Sequence, residues 1–98
     1  MEHFNQLTPA EAERLAILAE ECGEVVQVIG KILRHGYESC HPDGGPTNRM
    51  LLEKETGDVQ YAIERLIGLG DISADEVCDH RDEKYKKVRK YLHHQNNH

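Results

Sequence analysis

Two short stretches hold the residues whose types and spacing can do chemistry: Leu18-Ala19-Glu20-Glu21-Cys22-Gly23-Glu24-Val25-Val26 and Leu52-Glu53-Lys54-Glu55-Thr56-Gly57-Asp58-Val59. Each sets two carboxylates three residues apart inside an apolar, helix-periodic run: Glu21 with Glu24, and Glu55 with Asp58. Residues three apart share a helix face, so each helix offers a two-carboxylate claw. Two such claws facing one another make a site for a hard divalent cation.

The angular positions of these acids sharpen the point. With Cys22 at zero and ~100° per residue, Leu15, Leu18, Val25, Ile29, Ile32 and Leu33 cluster around it. Glu21 falls at about 260°, between Val28 and Ile32, and Glu24 at about 200°, beside Ile17. With Val59 at zero on the second helix, Glu55 falls at about 320°, between Ala62 and Leu66, and Asp58 at about 260°, on the stripe's margin. An ionised carboxylate on a packing face is costly unless paired or coordinated. A single Glu so placed reads as a solvated edge or half of a salt bridge. Four acids on two stripes point to metal, and Lys54 is the only Lys or Arg within one turn of any of them.

The donor set selects the metal. All-carboxylate ligation suits Mg²⁺, with Mn²⁺ as a substitute. A di-iron bundle would need Glu-x-x-His, whereas Gln27 follows Glu24 and Tyr61 follows Asp58 at that spacing. Mg²⁺ held by a few carboxylates completes its shell with water and substrate phosphates, which leads to metal-assisted attack of water on a phosphoanhydride.

Three helices must position these groups. Thr8-Pro9-Ala10-Glu11 is a capping-box pattern with Pro at the first helical position, and predicts a first helix over about residues 9–34, closed at Arg34-His35-Gly36. Thr47 or Asn48 caps a second helix that reaches about Leu69 and stops at Gly70. Ser73-Ala74-Asp75-Glu76 opens a third, running to Leu92 or His93 with Val77, Tyr85, Val88 and Leu92 on its inner side. Arg81 and Lys84 fall on that same side, where a cation snorkels or reaches an acid or a phosphate. The Pro/Gly-rich segment 35–46 is the one long irregular connection, a candidate lid or dimer-contact arm or else a plain exposed loop. Residues 1–7 read as a loose lead and 93–98 as a frayed tail.

Composition bounds the rest. Ninety-eight residues, 38% apolar and without Trp, make one domain with a modest core. The expected fold is all-α: two long antiparallel helices plus a third, completed by oligomerisation. The first helix's apolar stripe spans about 180°, wider than one neighbouring helix needs, so self-association is expected, most simply as a two-fold dimer. A net charge of −6 argues against binding nucleic-acid polymers, which takes a basic surface; it does not exclude nucleotides, because bound metal inverts the local field. Cys22, Cys40 and Cys78 lack zinc-like spacing. Cys22 reads as core, and the set suggests a reducing, cytoplasmic setting. No signal peptide or membrane-length apolar run is present.

Glu20-Glu21-x-x-Glu24 followed by Glu55-x-x-Asp58, with the flanking Leu18-Ala19 and Gly57-Asp58-Val59, resembles the MazG-like all-α nucleoside triphosphate pyrophosphohydrolases. The resemblance covers the first two helices well and the third loosely, through Lys84 to Tyr91. The 30 residues between Glu24 and Glu55 make a longer gap than is common there, the surplus lying in the Pro/Gly loop. What the resemblance implies is hydrolysis between the α- and β-phosphates to a monophosphate and pyrophosphate. Glu21, Glu24, Glu55 and Asp58 carry over as Mg²⁺ ligands, and Glu20 as the group that orients or deprotonates the attacking water or ligates a further metal. Assembly as a homodimer or homotetramer with a four-helix-bundle core is implied too, in agreement with the wide apolar stripe. Phe4, His35, Tyr37 and His41 are the side chains able to stack on or hydrogen-bond a base. The competing readings are a non-catalytic helical dimer using its carboxylates for cation or protein binding, and a divalent-cation binder without turnover.

Overall fold

The computed structural model describes residues 4–95. It is all-helical among them: α1 (Pro9–His35), α2 (Asn48–Gly68), α3 (Ala74–Val88) and a short 3₁₀ turn, Arg89–Tyr91. The helix ends follow from local chemistry. Thr8 and Glu11 form the reciprocal capping box at the start of α1, while the Thr47 hydroxyl accepts from the Met50 amide and the Ser73 hydroxyl from the Glu76 amide. Gly36 closes α1 at a φ of 90°, and its N–H donates to the Ile32 carbonyl at 2.7 Å. That left-handed backbone favours a residue without a Cβ.

α1 and α2 pack against each other antiparallel. At one end Asn48, the buried first residue of α2, donates from its side-chain amide to the Gly36 carbonyl at the end of α1 (3.1 Å). At the other end Arg14 of α1 makes two hydrogen bonds, 2.6 and 2.9 Å, to Asp71 beyond α2. Val28, Ala62 and Leu66 are the buried apolar residues between. On α1, Leu18, Glu21, Val25, Val28 and Ile32 are the more sheltered positions and mark the side that meets α2.

Three expectations change. Cys22, read as core, is exposed, as are Val26, Ile29 and Leu33, because one neighbouring helix shelters only part of so wide a stripe. α3 ends at Val88, short of Leu92. Its anticipated inner side is mostly open: Tyr85 is 59% exposed and only Val88 is partly sheltered, since α3 packs on neither long helix to any extent. The 36–46 loop is tied down: Ser39 and Tyr37 carbonyls accept from the Asn48 and Arg49 amides (2.8 and 2.9 Å), and Cys40 bridges Thr47. Of the expected lead and tail, residues 1–3 and 96–98 lie outside the described residues.

The Arg14–Asp71 pair orients the turn from which α3 leaves. Hydrogen bonding to Arg14, aided by its charge and opposed by burial, holds the Asp71 carboxyl below the ordinary carboxylate range. A carboxylate depressed in the folded state stabilises the fold above its unfolded pKa and loses that effect as pH falls through the depressed value. The melting-temperature gap between the parent and Asp71→Asn is therefore expected to be widest at neutral pH and to close on acidification through and below the carboxylate range. A gap independent of pH would show that the pair acts without charge.

Candidate metal centre

The periodicity that builds α1 and α2 also places two carboxylates from each in their shared seam. One ligand oxygen from each of Glu21, Glu24, Glu55 and Asp58 lies within 4.8 Å of the other three. Glu55 is the deepest of the measured pair, with its side chain 12% exposed against 39% for Asp58, as a central and a marginal position on α2 require. Oxygens around one octahedral Mg²⁺ sit about 3–4 Å apart, so small side-chain rotations bring these four to ligand spacing.

Two oxygens test whether such an ion fits. Glu21 Oε2 and Glu55 Oε2 are buried with no hydrogen-bond partner, the costly condition that a bound cation relieves. The donors are all hard carboxylate oxygens, matching Mg²⁺ or Mn²⁺. Lys54 partly offsets the charge from the edge: its Nζ is 2.7 Å from Asp58 Oδ2 and 3.6 Å from Glu55 Oε1. The (i, i+4) spacing to Asp58 makes that pair legible in sequence.

The other candidate residues lie elsewhere. Glu20 is exposed, one turn before Glu24 at the outer margin of the groove, ~40° from it. Arg81 is exposed and bonds Asp82 on its own helix at 3.1 Å; Lys84 is exposed on the same helix. Neither belongs to the acidic cluster. Of the proposed base contacts, Tyr37 carries the Arg49 guanidinium over its ring at 4.4 Å, Phe4 is exposed, and His35 and His41 border a cleft at the far end of the seam. Sequence reasoning missed Arg14–Asp71, a pairing 57 residues apart with no local signal. It also missed Lys31 and Arg34 on that cleft; Arg34 entered only as part of the basic turn that ends the first helix, and Lys31 was not singled out.

Two antiparallel helices with four converging carboxylates make an all-α candidate metal site, and comparison places the chain more narrowly. The chain belongs to the MazG nucleotide pyrophosphohydrolase domain family, whose model matches residues 10–93. No curated protein and no solved structure matches the chain significantly.

Crowding leaves a measurable trace without metal. Glu55 is raised above the ordinary range, first by a hydrogen bond shared with Glu24 when Glu55 carries a proton, then by burial and the Glu24 charge, with Lys54 opposing. A carboxyl raised in the folded state stabilises below its unfolded pKa and loses that effect as pH climbs through the folded value. Above that folded value, ionised Glu55 therefore weakens the metal-free fold. Glu55→Gln is expected to melt higher than the parent in chelator at pH 7, with the difference shrinking on acidification. It should also lose most of any magnesium-dependent rise; a lower melting point in chelator would contradict the crowding.

Proposed function

We propose that this chain is a magnesium-dependent nucleoside triphosphate pyrophosphohydrolase, cleaving between the α- and β-phosphates to release a nucleoside monophosphate and pyrophosphate. Family membership supports the reaction class. The observation that carries the site is the convergence of Glu21, Glu24, Glu55 and Asp58 with two orphaned buried oxygens. When bound, a divalent cation supplies positive charge against the phosphate oxygens. The four carboxylates hold it at the seam, and Mn²⁺ is the natural substitute. Glu20, at the open margin, orients the attacking water and takes its proton as the new phosphorus–oxygen bond forms and the bond to the bridging oxygen breaks. Arg81 and Lys84 reach phosphate only where an α3 closes over the groove.

We further infer that one domain spans the chain and works as a homodimer or homotetramer. The surface is 8142 Å², against about 5,700 Å² for a compact monomer of this mass. Its radius of gyration is 17.2 Å, against about 13 Å for a compact chain of this length. Cys22, Val26, Ile29 and Leu33 form an exposed apolar stripe within ~60° of arc on α1, suited to a second copy. Three free thiols suit the cytoplasm, and among the described residues no helix is long and apolar enough to cross a membrane. The alternative, a non-catalytic helical dimer, draws on the Lys54 ion pairs, which already offset part of the acidic charge.

Pyrophosphate release from a panel of nucleoside triphosphates should require magnesium. Glu24→Gln and Glu55→Gln should each lower kcat/KM by more than about 100-fold, beyond the loss of an outer partner. Glu20→Gln should keep the magnesium-dependent melting shift yet lower kcat by about 100-fold or more. Full activity in both ligand variants would remove the assigned site, and no release by the parent would favour the non-catalytic reading. In sedimentation, Val26→Lys/Leu33→Lys should convert the assembled species to monomer; an unchanged sedimentation coefficient would place the interface elsewhere.

A further inference from the structure

The acidic cluster divides the α1–α2 groove into two unequal hollows. Toward the start of α1, Arg14, Ile17, Tyr61 and Arg65 border a space of about 130 Å³. Toward its end, a cleft of about 590 Å³ lies between α1, the 36–46 loop and the start of α2, bordered by Lys31, Arg34, His35, His41, Pro46 and Leu51. Only the second falls within the roughly 300–1,000 Å³ of small-molecule sites; the first is too small for a nucleoside.

Helix geometry connects the larger cleft to the acids. Lys31 follows Glu24 by seven residues, two turns and about 10 Å along the axis, and within ~20° of the same side. Leu51 precedes Glu55 by one turn. That separation is about the reach from an α-phosphate to the far edge of its base. The outer wall is also pre-formed. The Asn48 side chain donates to Gly36, and the Asn48 and Arg49 amides donate to Ser39 and Tyr37. Arg49 additionally bonds Glu38 at 2.8 Å.

The cleft's charge is opposite to the chain's. Lys31 and Arg34 supply that charge, His35 and His41 line the cleft beside them and no Asp or Glu does, in a chain whose net charge is −6 with histidine neutral. Of the acids on the adjoining loop, Asp43 lies 3.6 Å from His41 and Glu38 pairs with Arg49. Arg34 makes one long hydrogen bond, Nε to the Gly30 carbonyl at 3.4 Å, and neither it nor Lys31 forms an ion pair among the described residues. Lysine and arginine heads are donors only. Two nucleobases present an edge with two neighbouring acceptors, guanine at O6 and N7 and unpaired cytosine at N3 and O2. Cytosine's O2 sits beside the glycosidic bond, whereas guanine's O6 lies on the far side of a larger ring system, where donors two turns from the acids meet it.

Building on the pyrophosphohydrolase reading, we propose that this cleft is the nucleoside pocket and that Lys31 and Arg34 select guanine nucleotides. Leu51 and Pro46 supply apolar contact to the ring faces. The loop, which sets the outer wall, acts as a specificity element while the metal site two turns away stays common to all substrates.

Two measurements test this together. The first is magnesium-dependent kcat/KM for the guanine, adenine, cytosine and uracil triphosphates, in the parent and in Lys31→Ala/Arg34→Ala. The guanine nucleotide should lead by about 5- to 150-fold, the discrimination of one bidentate donor pair, and the double variant should bring the four level. The second is equilibrium titration with GMP, AMP, CMP and UMP in chelator, where GMP should bind tightest and lose that lead in the variant. Turnover without guanine preference, or an equal loss for all four in the variant, would overturn the base pocket and leave the reaction standing. Selective GMP binding without turnover would overturn the reaction and leave the pocket standing.

Discussion

Four carboxylates that cannot separate dominate the energetics of this chain. α1 and α2 must bury Val28, Ala62 and Leu66 against one another, and the same antiparallel register that does so drives Glu21, Glu24, Glu55 and Asp58 into one seam. Like charges at such spacing repel most where water is thinnest, and Glu55 shows the effect in its raised pKa. An apolar side chain at position 55 would pack there without that cost. Holding acids in the seam makes sense where a cation completes them, because Lys54 reaches only the outer edge of the cluster.

That constraint organises the rest of the groove. The two ends of the helix pair are clamped by different means: Asn48 with the loop at one end, and the Arg14–Asp71 pair at the other. Between the clamps the acids keep fixed neighbours, so a ligand meets a site that needs little reorganisation. Charge varies along the groove, from a hollow where Glu13, Arg14 and Arg65 meet, through the four carboxylates, to the lysine- and histidine-lined cleft. Net charge alone hides that cleft: an acidic chain lines one end of its groove with Lys31 and Arg34 and no carboxylate.

The single chain is also visibly incomplete as a packed body. α3 leaves the Arg14–Asp71 clamp with almost every side chain exposed, and α1 shows Val26 and Leu33 at 68% and 82% exposure. Apolar stripes of this kind on helices are usually covered. In the assembly proposed above, a second copy related by two-fold symmetry would match an α1 stripe to its own image.

The helices and the face of each acid were legible from the chain alone, because both rest on periodicity within one element. The Thr8 box, the Ser73 cap and the Gly36 stop are similarly local, and the Glu-x-x-Glu and Glu-x-x-Asp spacing sets which carboxylates share a side. Which side of a wide stripe meets the neighbouring helix was not legible, and so Cys22 was expected inside and is exposed. Neither was the reach of Arg14 to Asp71, nor the place of Lys31 and Arg34 in the lining of a cleft. Those depend on the register of two helices and on a loop folding back onto α2, which are contacts between residues far apart in the chain. Periodicity acts within a helix and is written residue by residue; the joining of two helices is decided only once both are formed and packed.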